Sequence, residues 1–175
     1  EHRSIIVGVI RRDREFDELL SRYDVNASDI SGKWEAFKIQ VVENQGNRYL
    51  FVVGSDPRGA AYGLLELSRR IGVSPWVWWA DVVPEKRENV TISEEQIIQF
   101  PSVQYRGIFL NDEDWALVPW STKTHEPTST PGAIGPKTYA RIFELLLRLR
   151  ANTIWPAMHE CTIPFYLVDG NKDAA

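Results

Sequence analysis

Apolar positions along this chain fall into short runs broken by polar turns, and the runs change period twice. "SIIVGVI" (residues 4–10) is unbroken and of strand length, and "FDELLSRY" (16–23) has the spacing of a short helix. "AFKIQVVE" (36–43) and "RYLFVVGS" (48–55) flank the turn signal "NQGN", which predicts a hairpin. In "SDPRGAAYGLLELSRRIG", Asp56 is placed to cap a helix starting at Pro57, and Gly72 to close it. Ala61, Leu64, Leu65, Ser68 and Ile71 recur at helical spacing and predict the face laid on the sheet. These elements predict an α/β domain with a mixed sheet. "VSPWVWWADVVPEKREN" and "ISEEQIIQF" then read as an ordered connector, so the first domain with its connector spans residues 1–100.

A second unit, residues 101–175, opens on a strand at 106–110. A long segment without periodicity (111–135) precedes a helix from Pro136, on which Tyr139, Ile142, Phe143, Leu146 and Leu149 trace one face. Arg148 and Arg150 suit its negative end. "NTIWPAM" (152–158) reads as the next strand. Strand, helix and strand predict a βαβ unit with parallel strands and a right-handed crossover.

Composition narrows the function classes. Of 175 residues, 43% are hydrophobic and 25% charged, as in a globular protein, and the net charge of -4 gives nucleic acid little to grip. No run approaches the ~20 apolar residues of a membrane span, and the first residues lack the pattern of a secretory signal. Cys161 is alone, so no internal disulfide forms. Seven Trp are several times ordinary usage and suit sugar faces as well as cores.

The chemistry gathers at the ends of the two later strands. "YRGIFLNDEDWALVPW" stops an apolar run at Asn111, Asp112, Glu113 and Asp114, and the second strand ends in His159 and Glu160. Ligands bind at the carboxyl ends of parallel strands, which lie about 4.8 Å apart, so these groups are expected to share a cleft. Asp112 is expected to point into it and Glu113 away, because extended backbone alternates its side chains. Clustered carboxylates raise one another's pKa, which helps a group hold a proton near neutrality. The alternative is a solvated, helix-capping turn. The 111–135 segment, of a length often found in active-site loops, carries Trp115, Trp120, Lys123, His125 and Glu126. No metal-ligand spacing and no Gly-x-Ser-x-Gly occur, so neither a bound metal nor a serine nucleophile is expected, and Cys161 reads as a packing residue. "GSDPRGAAYG" lacks the phosphate-loop spacing and reads as close helix–strand packing at Gly59 and Gly63. "PWVWWADV" reads as domain packing, with a sugar platform as the alternative.

"GSDPRGAAYGLLELSRRIGVSPWVWWADVVP", "YRGIFLNDEDWALVPW" and "IGPKTYARIFELLLRLRANTIWPAMHE" together resemble the amino-terminal part of glycoside hydrolase family 115, the xylan α-1,2-glucuronidases. The likeness runs from about Tyr49 onward. It implies an amino-terminal α/β domain leading into a (β/α)8 barrel in a large, exported enzyme (secreted or periplasmic). It also implies removal of (4-O-methyl-)glucuronic acid from xylan or glucuronoxylan with inversion and without a cofactor, and it leaves homodimerisation open. By the same resemblance Asn111 and Asp112 line the uronic-acid pocket at the first barrel strand, with Asp112 sharing in catalysis. His159 and Glu160 sit at the end of the second strand, and Glu126 is an outlying candidate. Only 75 residues follow Phe100, whereas a barrel needs roughly 200 or more. The chain is therefore expected to be the leading part of such an enzyme, inactive alone. The rival reading is a carbohydrate-binding module using its Trp surface without hydrolysis. An interaction domain with no sugar ligand is the third.

Overall fold

The opening apolar run forms β1 (Arg3–Val9), followed by α1 (Arg14–Arg22), in the computed structural model, which describes residues 3–92, 96–112, 114–156 and 158–175. The residues group into two compact units, Glu1–Gln104 and Tyr105–Ala175. In the first, β2 (Phe37–Asn44) and β3 (Asn47–Gly54) pair antiparallel with Asn44 opposite Asn47. Only Gln45 and Gly46 turn the chain, both at positive φ (50° and 77°), which is the turn whose twist matches a hairpin. β1 pairs parallel with β3, so the sheet is mixed. The 16–23 helix starts two residues earlier than its apolar spacing implies, because Asp13 caps it by accepting from the Glu15 N–H. Its Phe16 and Leu20 join Val25, Ile30, Ala36, Phe51 and Val53 in the core on one sheet face.

α2 (Pro57–Arg70) follows, and its ends conform to expectation. One Asp56 oxygen accepts from the Gly59 N–H at 2.8 Å and the other from the Glu35 N–H at 2.6 Å. At the other end Gly72, at φ 104°, donates to the Arg69 carbonyl and Val73 to the Ser68 carbonyl. The buried face is not the expected one. Gly59, Ala60, Tyr62, Gly63, Glu66 and Leu67 are buried, whereas Leu64 and Ile71 are exposed. Glycines mark the points where this face, which also buries Tyr62, lies closest to the strands. A Cβ on Gly59 would come 2.2 Å from the Ala36 carbonyl oxygen, and one on Gly63 would come 2.6 Å from Val52. Glu66 tolerates burial by pairing with Arg69 and Arg70.

β4 (Gln96–Gln99) is an element the sequence pattern did not announce. It pairs antiparallel with β2 and completes the order β1-β3-β2-β4.

In the second unit, β5 (Gly107–Phe109) pairs parallel with the later strand. The 111–135 segment, expected to be structureless, contains α3 (Leu117–Trp120) and a π-helical turn (Ser121–His125). Buried Val118, Ser121 and Thr122 hold it, with the Thr122 hydroxyl bonded to the Val118 carbonyl. α4 (Pro136–Arg148) buries Thr138, Tyr139, Ile142 and Leu146, but Leu149 is exposed just past its end. Arg150, at φ 60°, ends it where glycine is usual. β6 (Thr153–Trp155) is shorter than the expected 152–158 run, and a 3-10 turn (Phe165–Leu167) and α5 (Asn171–Ala174) follow. The βαβ unit is thus β5, α4 and β6, with parallel strands. Among the described residues no helix is long and apolar enough to cross a membrane.

Gly59→Val forces a branched side chain against the Ala36 backbone, so thermal unfolding should show a loss of roughly 1–3 kcal/mol. An unchanged Tm would mean that close approach does not set the α2 position.

Candidate active site

The two parallel strands meet in register, Gly107 opposite Thr153, Ile108 opposite Ile154 and Phe109 opposite Trp155. A Cβ at Gly107 would fall 1.8 Å from the Thr153 carbonyl oxygen, so only glycine permits this pairing. The ladder runs one bond further, from the Leu110 N–H to the Trp155 carbonyl. Two residues on, the Asp112 carboxylate is fully buried. Its partners come from beyond β6, where a turn over residues 159–162 is closed by the Thr162 N–H donating to the His159 carbonyl at 2.9 Å. The first and last side chains of this turn grip the carboxylate, the His159 Nδ1 on one oxygen and the Thr162 hydroxyl on the other. The two middle residues, Glu160 and Cys161, face outward.

Burial alone pushes the Asp112 carboxyl up. Hydrogen bonds from Thr162 and His159, with the histidine's charge, outweigh it and hold the group below the ordinary carboxylate value. The expectation of a carboxylate raised by its acidic neighbours therefore does not hold for Asp112. Asp114 is exposed, and among the described residues the Asp112 oxygens meet donors, the His159 Nδ1 and the Thr162 hydroxyl. An ionised carboxylate only accepts, so the Nδ1 of His159 must donate.

The turn is itself seated on the segment before α4. Gly132, at φ 74°, accepts at its carbonyl from the Ile163 N–H, and a Cβ there would lie 2.3 Å from the Cys161 carbonyl oxygen. Asn171, wholly buried, donates to the Ile134 and Phe165 carbonyls and ties the same segment to the chain's last helix.

Of the expected site residues, Asp112 and His159 are in direct contact. Asn111 and Glu160, their sequence neighbours, are exposed. Glu126 is engaged elsewhere, its two oxygens accepting from the N–H groups of Lys137 and Thr138 and from the Thr138 hydroxyl. It thus caps α4, whose own N-cap, Gly135, has no side chain to do so. Glu113 lies outside the described residues. Thr162 was not anticipated, and its signal is its place three residues after His159, as the closing residue of a turn. Cys161, expected to pack, is exposed, with its sulfur 4.0 Å from the Asp112 carbonyl oxygen. Trp115 is 76% exposed and Trp76 46%. Among the described residues no group of three or more His, Cys, Asp or Glu is placed to hold a metal ion.

The carboxyl ends of parallel strands are where barrel and open-sheet enzymes carry their active sites, and comparison with known proteins places the chain among the glycoside hydrolases. Residues 99–175, which include the whole candidate site, match the model for glycosyl hydrolase family 115. A solved structure described as a family GH115 4-O-methyl-α-glucuronidase, BtGH115A, with specificity for decorated arabinogalactans, is 56% identical, with a TM-score of 0.88. The match covers 97% of this chain and 22% of that one. The chain belongs to glycosyl hydrolase family 115. None of the curated proteins matches it.

Two measurements probe how the site is held. Gly132→Ala strains a left-handed backbone and strikes the turn, so it should lower Tm and cost at least ~1 kcal/mol. A depressed folded-state pKa at Asp112 adds stability above the unfolded value, near 3.9, that is lost as pH falls through the folded value. Denaturant titrations from pH 7 downward should therefore show the wild type losing more stability below about pH 4 than Asp112→Asn does. Parallel pH profiles would contradict an ionised, bonded Asp112.

Proposed function

We propose that this chain supplies the leading part of a glycoside hydrolase that removes glucuronic acid, or its 4-O-methyl form, from a decorated polysaccharide. The observation that carries this reading is the 56% identity, over 97% of the chain, to a 4-O-methyl-α-glucuronidase. On this proposal the β5–α4–β6 unit begins a (β/α)8 barrel. Asn111, Asp112, His159 and Glu160 then form one wall of the uronic-acid pocket, at the carboxyl ends of its first two strands. The remaining strands would complete the wall with an acid and a base roughly 6.5–9.5 Å apart, the separation for inversion. Xylan decorated through α-1,2 bonds is the proposed substrate, and the related enzyme's stated specificity makes decorated arabinogalactan the natural comparison. Polymers of this size do not cross membranes, which favours a secreted or periplasmic site of action.

The test is the full-length protein on glucuronoxylan and on glucuronic-acid-decorated arabinogalactan, with released uronic acid measured directly. Release from glucuronoxylan supports the whole reading, release from arabinogalactan alone moves the backbone preference, and release from neither sinks it. Asp112→Ala, with its folded fraction checked by circular dichroism, should reduce turnover at least ~10²-fold, because it releases the two side chains that the carboxylate holds at the end of the strands. Near-normal turnover in a folded variant would reduce the carboxylate to a turn element.

A further inference from the structure

We infer that β1 is an interior strand in the full-length protein, paired on its open side with a further strand of the same polypeptide from outside residues 1–175. β1 stands at the margin of its sheet, with β3 on one side and no described strand on the other. Its apolar run, residues 5–10, is of the kind that belongs to a strand covered on both faces. Yet none of the seven residues of β1 is buried, whereas Phe51, Val52 and Val53 of neighbouring β3 are wholly so.

Both faces of β1 lack cover. On one, Ile5 and Val7 alternate outward, 59% and 39% exposed. Val52, the register partner of Val7, is sealed on that face beneath Gly63, so α2 covers β3 and leaves these β1 side chains open. On the other face Ile6 packs against the α1 core, beside an open hollow of about 670 Å³ lined by Gly8, Phe16, Leu19, Arg12 and Asp13. Strand edges that face water are guarded by charge, proline or bulges. From Ile5 to Val9 β1 has no charge and no proline, and its register with β3 is unbroken.

A single occupant answers all three openings. A strand laid along β1 bonds its outer main chain, sets alternate side chains against Ile5 and Val7, and sends the others toward the hollow. A small ligand in the hollow would leave Ile5 and Val7 exposed, and a helix laid on them would leave the edge unbonded. The solved family 115 structure is matched over 97% of this chain but only 22% of its own length, so a protein of that size has ample further chain to supply the strand. A strand tethered in the same polypeptide also docks without the entropy cost of association that a second copy would meet. It should be about seven residues long and apolar on both faces.

The experiment is hydrogen–deuterium exchange of the full-length protein, wild type and Ile5→Lys, read by mass spectrometry. In the wild type, residues 3–9 should exchange as slowly as β3, whereas an open edge would free about half of these amides to exchange at least ~10²-fold faster. Ile5→Lys should speed exchange at β1 and, by at least ~10-fold, at one segment outside residues 1–175, which identifies the strand. Fast exchange of β1 in the wild type, or a variant indistinguishable from it, would overturn the inference. So would a loss of protection confined to β1 and its own sheet, and if wild-type protection also vanishes on dilution, the occupant is a second copy. Should Ile5→Lys fail to fold, Val7→Thr takes its place, because it removes apolar surface with little change in volume. The readout involves no turnover, so it stands or falls independently of the glucuronidase reading.

Discussion

The second unit depends on one buried charge. Asp112 is taken wholly out of water at the end of a three-residue strand, where an unpaired carboxylate would cost several kcal/mol. What compensates is a four-residue turn from beyond β6, whose two ends supply a ring nitrogen and a hydroxyl. Each party needs the others. Without the carboxylate the His159 Nδ1 and the Thr162 hydroxyl lose their shared acceptor, and without those donors burial would push the carboxyl toward its protonated form. Gly132 and Asn171 serve this arrangement at one remove, since they seat the turn and the segment beneath it. A site built this way has its geometry fixed before any ligand arrives, which is the condition for precise recognition.

The first unit is held by close approach rather than by charge. Its hairpin reverses in two residues, and α2 lies so close to the sheet that a single added carbon would meet the Ala36 backbone at Gly59 and the Val52 side chain at Gly63. The same device recurs at Gly107, where two parallel strands meet. Large apolar residues are left at the flanks of α2, with Leu64 41% exposed. Membership of family 115 rests on the match of residues 99–175 and on a structural likeness that extends over nearly the whole chain, the first unit included.

Local chemistry made much of this legible in advance. An Asp-Pro pair starts α2 and a glycine in the left-handed region stops it, because capping needs only neighbours in sequence. The Gln-Gly turn and the βαβ order were readable for the same reason, as was the pairing of acidic and histidine-bearing strand ends. What was not legible depends on distant contacts. The buried face of α2 follows the strands beneath it, and takes Gly59, Tyr62, Gly63 and Leu67 in place of the expected Leu64 and Ile71. β4 is four residues long and carries polar ends, so it becomes a strand only beside β2. Glu126 resembled a loop carboxylate of a catalytic site but caps α4 from ten residues upstream of Pro136. Thr162 is invisible by type, since a threonine in a loop announces nothing until the turn brings it to Asp112.

Asp112 therefore organises the carboxyl end of the β5–β6 pair, and on the proposed reading a crystal structure of the full-length protein with bound glucuronic acid tests most directly whether that end forms a wall of the pocket. The account predicts a sugar oxygen at hydrogen-bond distance, about 3 Å, from a side chain at this end of the strands, among Asn111, His159 and Glu160. Both Asp112 oxygens should remain on His159 and Thr162. A sugar bonded directly to the Asp112 carboxylate, with His159 turned away from it, would contradict the account.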